Sequence, residues 1–254
     1  MSGWSEDFLG ANYQQREIPL GEDPDGEGTI SAVLIRHHGS VNLDSATQAI
    51  IYVHGYTDYF FHTEIAEYFA KRGIAFYALD LRKCGRSRGP GQTAHYVSDL
   101  ALYDAELEAA VRIVSEEVPH AKIAFMAHST GGLVVPLWLD RVNERPHGVD
   151  ALNLNGLILV SPWFDLQGSA IVREIGTPVM RILSHAVPTF ALPLGDIGTY
   201  GRSIHASEQG HWEFDKDLEP VSGFPIRVGW FNAVRRGHAA LHVGLEIGVP
   251  SLVF

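Results

Sequence analysis

Apolar residues along this chain gather in short unbroken runs, and the stretches between them follow a helical period. Ala49 to Val53 (AIIYV), Ile74 to Leu79 (IAFYAL), Ile123 to Ala127 (IAFMA) and Leu154 to Val160 (LNGLILV) have the length and content of strands buried on both faces. Thr29 to Arg36 alternates instead, as an early, partly exposed strand, and the charged Gly21 to Gly28 (GEDPDGEG) before it reads as a turn. Thr63 to Arg72 predicts a helix with Ile65, Phe69 and neighbouring alanine on one face and Gly73 as its stop. Ser98 is placed to cap a longer helix, with Asp99 in its first turn. Leu100, Tyr103, Leu107, Val111 and Val114 follow at helical spacing, and Pro119 ends it. Gly131 to Val142 suits a third helix. This alternation predicts right-handed βαβ units: an α/β fold with a mainly parallel sheet covered by helices.

After Ser161-Pro162 the pattern breaks. Asp165 to about Val221 is irregular and rich in Pro, Gly and His, with one apolar helix expected near Thr177 to Val187. It reads as an insertion over the sheet. Trp163, Trp212 and Phe214 are candidates to line a pocket there, against the commoner role of such aromatics as core. Trp230 to Glu246 predicts a further helix and Val249 to Phe254 (VPSLVF) a further strand, inside which the chain stops. The expected organisation is a core over residues 1–164, an insertion over 165–225 and a return to the core over 226–254.

Composition narrows the classes. The 254 residues are 46% hydrophobic and 19% charged, which is enough to bury a core and is unlike a disordered chain. Lys plus Arg number 19 and Asp plus Glu 30, for a net charge of −11. That balance opposes a broad nucleic-acid footprint and a polybasic membrane anchor. Cys84 is the single cysteine, so an intrachain disulfide is excluded and a cysteine metal cluster disfavoured. No secretory signal pattern and no run of about 18 apolar residues occurs. The expectation is a cytoplasmic protein with no cofactor, no metal and no nucleic-acid partner, its oligomeric state open.

The strongest chemical signal is Ala127-His128-Ser129-Thr130-Gly131-Gly132, between the strand IAFMA and the helix GLVVPLWL. A serine flanked at two residues on each side by small residues, at a strand-to-helix turn, is the nucleophile-elbow pattern. The turn is so tight that only small residues fit beside it. It lifts the Ser129 hydroxyl clear of the sheet and puts the Thr130 N–H and the helix N-terminus beside a developing oxyanion. His54-Gly55-Tyr56, after the strand AIIYV, is placed to aim a second N–H inward, that of Tyr56, with His54 itself structural. Asp80 to Ser87 (DLRKCGRS) follows a strand but has neither a Gly-Lys-Ser/Thr unit nor dinucleotide-binding glycine spacing. Asp80 and Arg82 read as residues that lock a turn.

Taken in order, HGY, D-L-R-x-x-G-x-S, AHSTGG and GLILVSP resemble the α/β-hydrolases, from about Thr29 to Phe254. More narrowly they resemble the branch of monoacylglycerol lipases, lysophospholipases and serine aminopeptidases. The resemblance implies an α/β-hydrolase fold with helices on both faces of the sheet and a cap inserted after the sixth strand. It also implies a Ser-Asp/Glu-His triad that hydrolyses small-molecule or lipid esters without a cofactor. Ser129 is the nucleophile by position, and Thr130 and Tyr56 are the oxyanion donors. The departures are Lys83, where the family usually shows Gly, and Ala127 at the elbow.

A larger departure concerns the triad. In these enzymes the acid follows the seventh strand and the histidine the eighth, whereas Val249 to Phe254 looks like the seventh strand and nothing follows it. The acid and base are therefore expected beyond Phe254, with the C-terminal βα portion missing and little turnover from these 254 residues. Asp165, just after the sixth strand, is a weaker alternative acid. His205, His211, His238 and His242 are the other available histidines. His238 and His242 would share a helix face and could hold a metal, but they lack the zinc-protease Glu and read better as packing or surface residues. His128 is expected to point elsewhere along the turn. The alternatives to an ester hydrolase are a non-catalytic binding protein on the same scaffold and an aminopeptidase or haloperoxidase-like activity.

Overall fold

The computed structural model describes residues 3–39, 41–166, 183–184, 186–193 and 198–254. Its strands are β1 (Ser5–Glu6), β2 (Tyr13–Glu22), β3 (Thr29–His37), β4 (Gln48–Val53), β5 (Ala75–Asp80), β6 (Lys122–His128), β7 (Leu154–Val160) and β8 (Ser251–Val253). They form one sheet in the order β1-β2-β3-β5-β4-β6-β7-β8. From β5 across to β8 every pairing is parallel, and β1, β2 and β3 close the other side antiparallel. The mainly parallel sheet expected from the apolar runs is therefore present. Two strands were not expected. β1 has two residues, and β2 buries only Tyr13 and Ile18 of its ten, so neither carries an apolar run. β2 also takes in Gly21 and Glu22, narrowing the expected turn to 23–28, which the Asp23 N–H closes on Gly28 O at 2.8 Å.

The helices are α1 (Thr63–Ala70), α2 (Asp104–Glu117), α3 (Gly131–Asn143), α4 (Thr199–Ile204) and α5 (Val228–Val243). Side chains alternate across the strands and so feed two cores. Ile51, Val53, Phe125, Ala127, Leu157 and Leu159 meet Leu107, Val111 and Val114 of α2 and Leu133 and Leu137 of α3. Ile50, Tyr52, Phe76 and Ala78 meet Ala66 of α1 on the opposite face. Each such fully buried aliphatic side chain contributes roughly 1.5–3 kcal/mol. α5 brings Trp230, Ala233 and Val234 onto the α3 side.

Some boundaries differ from expectation. A 3-10 turn, Leu100–Tyr103, precedes α2, and Asp99 caps it by accepting the Ala101 N–H at 2.9 Å. Ser98 is not the cap; its N–H donates to Asp25 Oδ2. The last helix starts at Val228 and ends at Val243, and the last strand covers only Ser251–Val253. Most of the helix expected near Thr177 to Val187 lies outside the described residues. Among the described residues no helix is long and apolar enough to cross a membrane.

The sheet also fixes where a site can form. β4 has β5 on one side and β6 on the other, so the strand order reverses at β4. Register pairs Val53 with both Leu79 and Ala127, and Ala127 with Leu159, so these strands end level. A crevice opens beyond the carboxyl ends at such a reversal. The loop after β4 and the turn after β6 both enter it.

Candidate active site

Ser129 stands where β6 gives way to α3, with φ of +52°. A non-glycine residue in this region is strained by roughly 1–3 kcal/mol and needs its surroundings to hold it. Here its N–H donates to Val160 O at 3.1 Å, and its carbonyl accepts the N–H groups of Gly132 and Trp163, each at 3.0 Å. Gly131 gives the turn its tightness: a Cβ there would lie 2.5 Å from His54 O and 2.8 Å from Val53 O. Thr57 and Ser161, at φ of +51° and +46°, line the same pocket as Ser129. Three strained residues at one cavity are characteristic of a functional site.

The loop after β4 reaches the same point. A Cβ on Gly55 would sit 3.0 Å from Ser129 Cβ and 3.5 Å from its Oγ. His54 is buried, with Nδ1 2.7 Å from Gly55 O and Nε2 accepting the Leu81 N–H at 3.1 Å, so it ties the ends of β4 and β5 together. The Tyr56 ring packs 4.1 Å from that of Trp230, and its hydroxyl donates to Pro225 O at 2.9 Å. Among the described residues, the backbone N–H groups of Tyr56 and Thr130 have no acceptor.

The loop after β5 braces this arrangement. Asp80 accepts the Phe60 N–H at 2.8 Å and Arg86 Nη1 at 2.9 Å, and Arg82 makes a buried two-pronged pair with Glu106. Lys83 has φ of +59°, which explains why glycine is usual in that place in the resembling family. The lysine is held there, fully buried, by Asp23 at 2.5 Å and Glu27 at 3.0 Å from the β2–β3 turn.

The pocket holds about 430 Å³. Its floor is Tyr56, Thr57, Ser129 and Ser161, and Tyr200, Glu219, Pro220 and Ile226 cover it from the stretch after β7. Of the histidines weighed from sequence, only His128 lines it. That corrects the expectation that His128 points elsewhere: its Nδ1 lies 3.4 Å from the buried carboxylate of Asp58, which draws the ring toward the crevice. His205 turns edge-on to Phe214 and accepts the Ser207 N–H at 2.9 Å. His238 meets Trp163 O at 2.9 Å beneath the surface, while His211 and His242 are exposed. Asp165 is not among the residues lining the Ser129 pocket, and Arg235 Nη1 lies 3.8 Å from its carboxylate. Trp163 stacks on Trp230 at 6.1 Å, and Trp212 and Phe214 pack against Phe61. None of the three lines the pocket.

Sequence reasoning missed two carboxylates, Asp58 and Glu219, both fully buried. Asp58 accepts the N–H groups of Gly55 at 3.3 Å and Tyr59 at 2.8 Å. Burial works to raise its pKa, but the His128 hydrogen bond and nearby His62 and His54 hold it below the usual carboxylate range. Burial first, then the Asp58 charge, push the Glu219 carboxyl far above its ordinary value. Glu219 thus keeps its proton at neutral pH, while Asp58 is ionised.

This has a measurable sign. Above the ordinary carboxyl range, unfolded Glu219 loses a proton that the folded chain retains, so stability falls as pH rises. Glu219→Gln has no such proton. Its stability relative to the parent should climb between pH 5 and 9, by up to about 1.4 kcal/mol per pH unit, in urea unfolding. Parallel stability curves for the two proteins would show Glu219 to be ionised in the folded chain.

A parallel sheet whose order reverses beside a strained serine elbow defines an α/β-hydrolase. Residues 44–254 match the serine aminopeptidase family, S33, and the chain belongs to it. A soluble variant of monoglyceride lipase from Saccharomyces cerevisiae, in complex with a substrate analogue, superposes with a TM-score of 0.63 at 15% identity, over 93% of this chain and 76% of that one. A thermostable carboxyl esterase from Bacillus coagulans, in complex with glycerol, gives 0.60 at 13% over 93% and 78%. A monoacylglycerol lipase from Paleococcus ferrophilus gives 0.58 at 14% over 96% and 77%. These likenesses are of fold.

Proposed function

We propose that the protein is a serine hydrolase that cleaves carboxylic esters of the monoacylglycerol or lysophospholipid kind through an acyl-enzyme on Ser129. The observation that carries this reading is a strained serine at the pocket floor, next to two backbone N–H groups without acceptors. Ser129 Oγ attacks the ester carbonyl, and the N–H groups of Tyr56 and Thr130 hold the tetrahedral oxyanion. The carbon–oxygen bond to the alcohol then breaks, and the Oγ proton leaves with the alcohol by way of a base. Water releases the acid and restores Ser129. His205 and His238 are engaged elsewhere, by the Ser207 N–H and by Trp163 O, and neither is assigned as the base.

A second reading, a binding protein on the same scaffold, draws on one observation: among the described residues no histidine hydrogen-bonds to Ser129 Oγ. The two part on treating the full gene product with a fluorophosphonate. An esterase carries the adduct on the Ser129 peptide, and a binding protein carries none.

A further inference from the structure

Glu219 lines the pocket from the stretch that covers it, and Asp58, in the loop after β4, lies beside His128 of the same lining. Both side chains are fully buried. Asp58 already serves the N–H groups of Gly55 and Tyr59 and faces His128. Glu219 is different: neither of its oxygens receives an N–H or O–H from the described chain, yet it lines the cavity that holds Ser129. Two adjoining carboxyls out of water share one proton between them. Neither Glu219 oxygen has a hydrogen-bond partner among the described residues, so its carboxyl meets the cavity with its polar atoms unmatched. A buried acceptor of this kind is costly until a donor arrives.

We propose that Glu219, with the Asp58 carboxylate behind it, forms the subsite for the alcohol portion of the ester, taking a neutral hydroxyl-bearing alcohol and turning away an anionic one. This rests on the ester-hydrolase reading for its location beside Ser129, and it goes further by choosing between the two substrate kinds. A hydroxyl supplies the missing donor to Glu219. A phosphate supplies negative charge to a pair that already carries one, and the described lining of the pocket holds no Lys or Arg to offset it.

Binding of ether analogues tests this without any hydrolysis. Titration calorimetry of the intact protein with 1-O-octylglycerol should show one site. Its 3-phosphate should bind at least about tenfold more weakly. Glu219→Gln, which keeps both a donor and an acceptor at the end of a side chain of the same length, should bind the glycerol ether within about threefold of the parent. Glu219→Met should lose about tenfold. Equal or tighter binding of the phosphate overturns the proposal, as does loss of the glycerol ether in Glu219→Gln or no binding of either ether to the parent. If Ser129 takes no fluorophosphonate but the ethers discriminate as expected, the hydrolase reading fails and the subsite stands. The reverse pattern removes the subsite alone.

Discussion

Ser129→Ala is expected to abolish fluorophosphonate labelling of the full gene product and to cut ester turnover by about a thousandfold or more. The size follows from what one oxygen does. Without Oγ no acyl-enzyme forms, and the Tyr56 and Thr130 N–H groups can polarise a carbonyl only for attack by water. The fold should be untouched, because the elbow is held by backbone bonds to Val160, Gly132 and Trp163 in which the hydroxyl has no part. The thermal midpoint of the variant should therefore match that of the parent. Labelling that persists on another residue would place the nucleophile elsewhere.

Gly131→Ala should have the largest effect of any single methyl at the site. The added carbon would press on two carbonyl oxygens, His54 O at 2.5 Å and Val53 O at 2.8 Å, and backbone cannot rotate away as a side chain can. Either α3 lifts from the elbow or the end of β4 retreats, and the second carries the Tyr56 N–H with it. Overpacking of this kind costs about 3 kcal/mol, or roughly 6–12 °C in Tm for a chain of this size. Gly73→Ala is the control. Gly73 has φ of +74° but nothing within 4 Å of the added carbon, so it bears strain without collision, roughly 1 kcal/mol. Equal melting shifts for the two, with labelling intact in Gly131→Ala, would mean that the contact with β4 does not set the elbow.

The parts of the molecule that could be read from sequence are those with a local physical cause. Buried runs such as AIIYV and IAFMA have to be interior strands, and AHSTGG has to be a tight turn, because sterics act within a few residues. β2 escaped notice because its antiparallel place near the sheet edge leaves most of its side chains partly exposed, so no apolar run marks it. Asp99 displaced Ser98 as the cap through a carboxylate geometry that differs by one residue. The orientation of His128 was missed for another reason: it depends on Asp58, which sits in HGYTD and reads as one more polar loop residue. Glu219 carries no local signal at all. Its raised proton affinity exists only once the chain after β7 has folded back over the loop after β4.

The bonds that pin Ser129 have a kinetic consequence. Its amide is satisfied by the neighbouring strand at Val160, and its carbonyl is tied to the start of α3 and to the segment that leaves β7. Opening the elbow therefore means parting two strands of the central sheet. The Ser129 amide should exchange with deuterated solvent only as fast as the whole domain unfolds, while the exposed ends of α4 exchange within their own local fraying. The nucleophile would then be among the most slowly exchanging positions in the protein, its immobility acquired during folding and not on meeting a substrate.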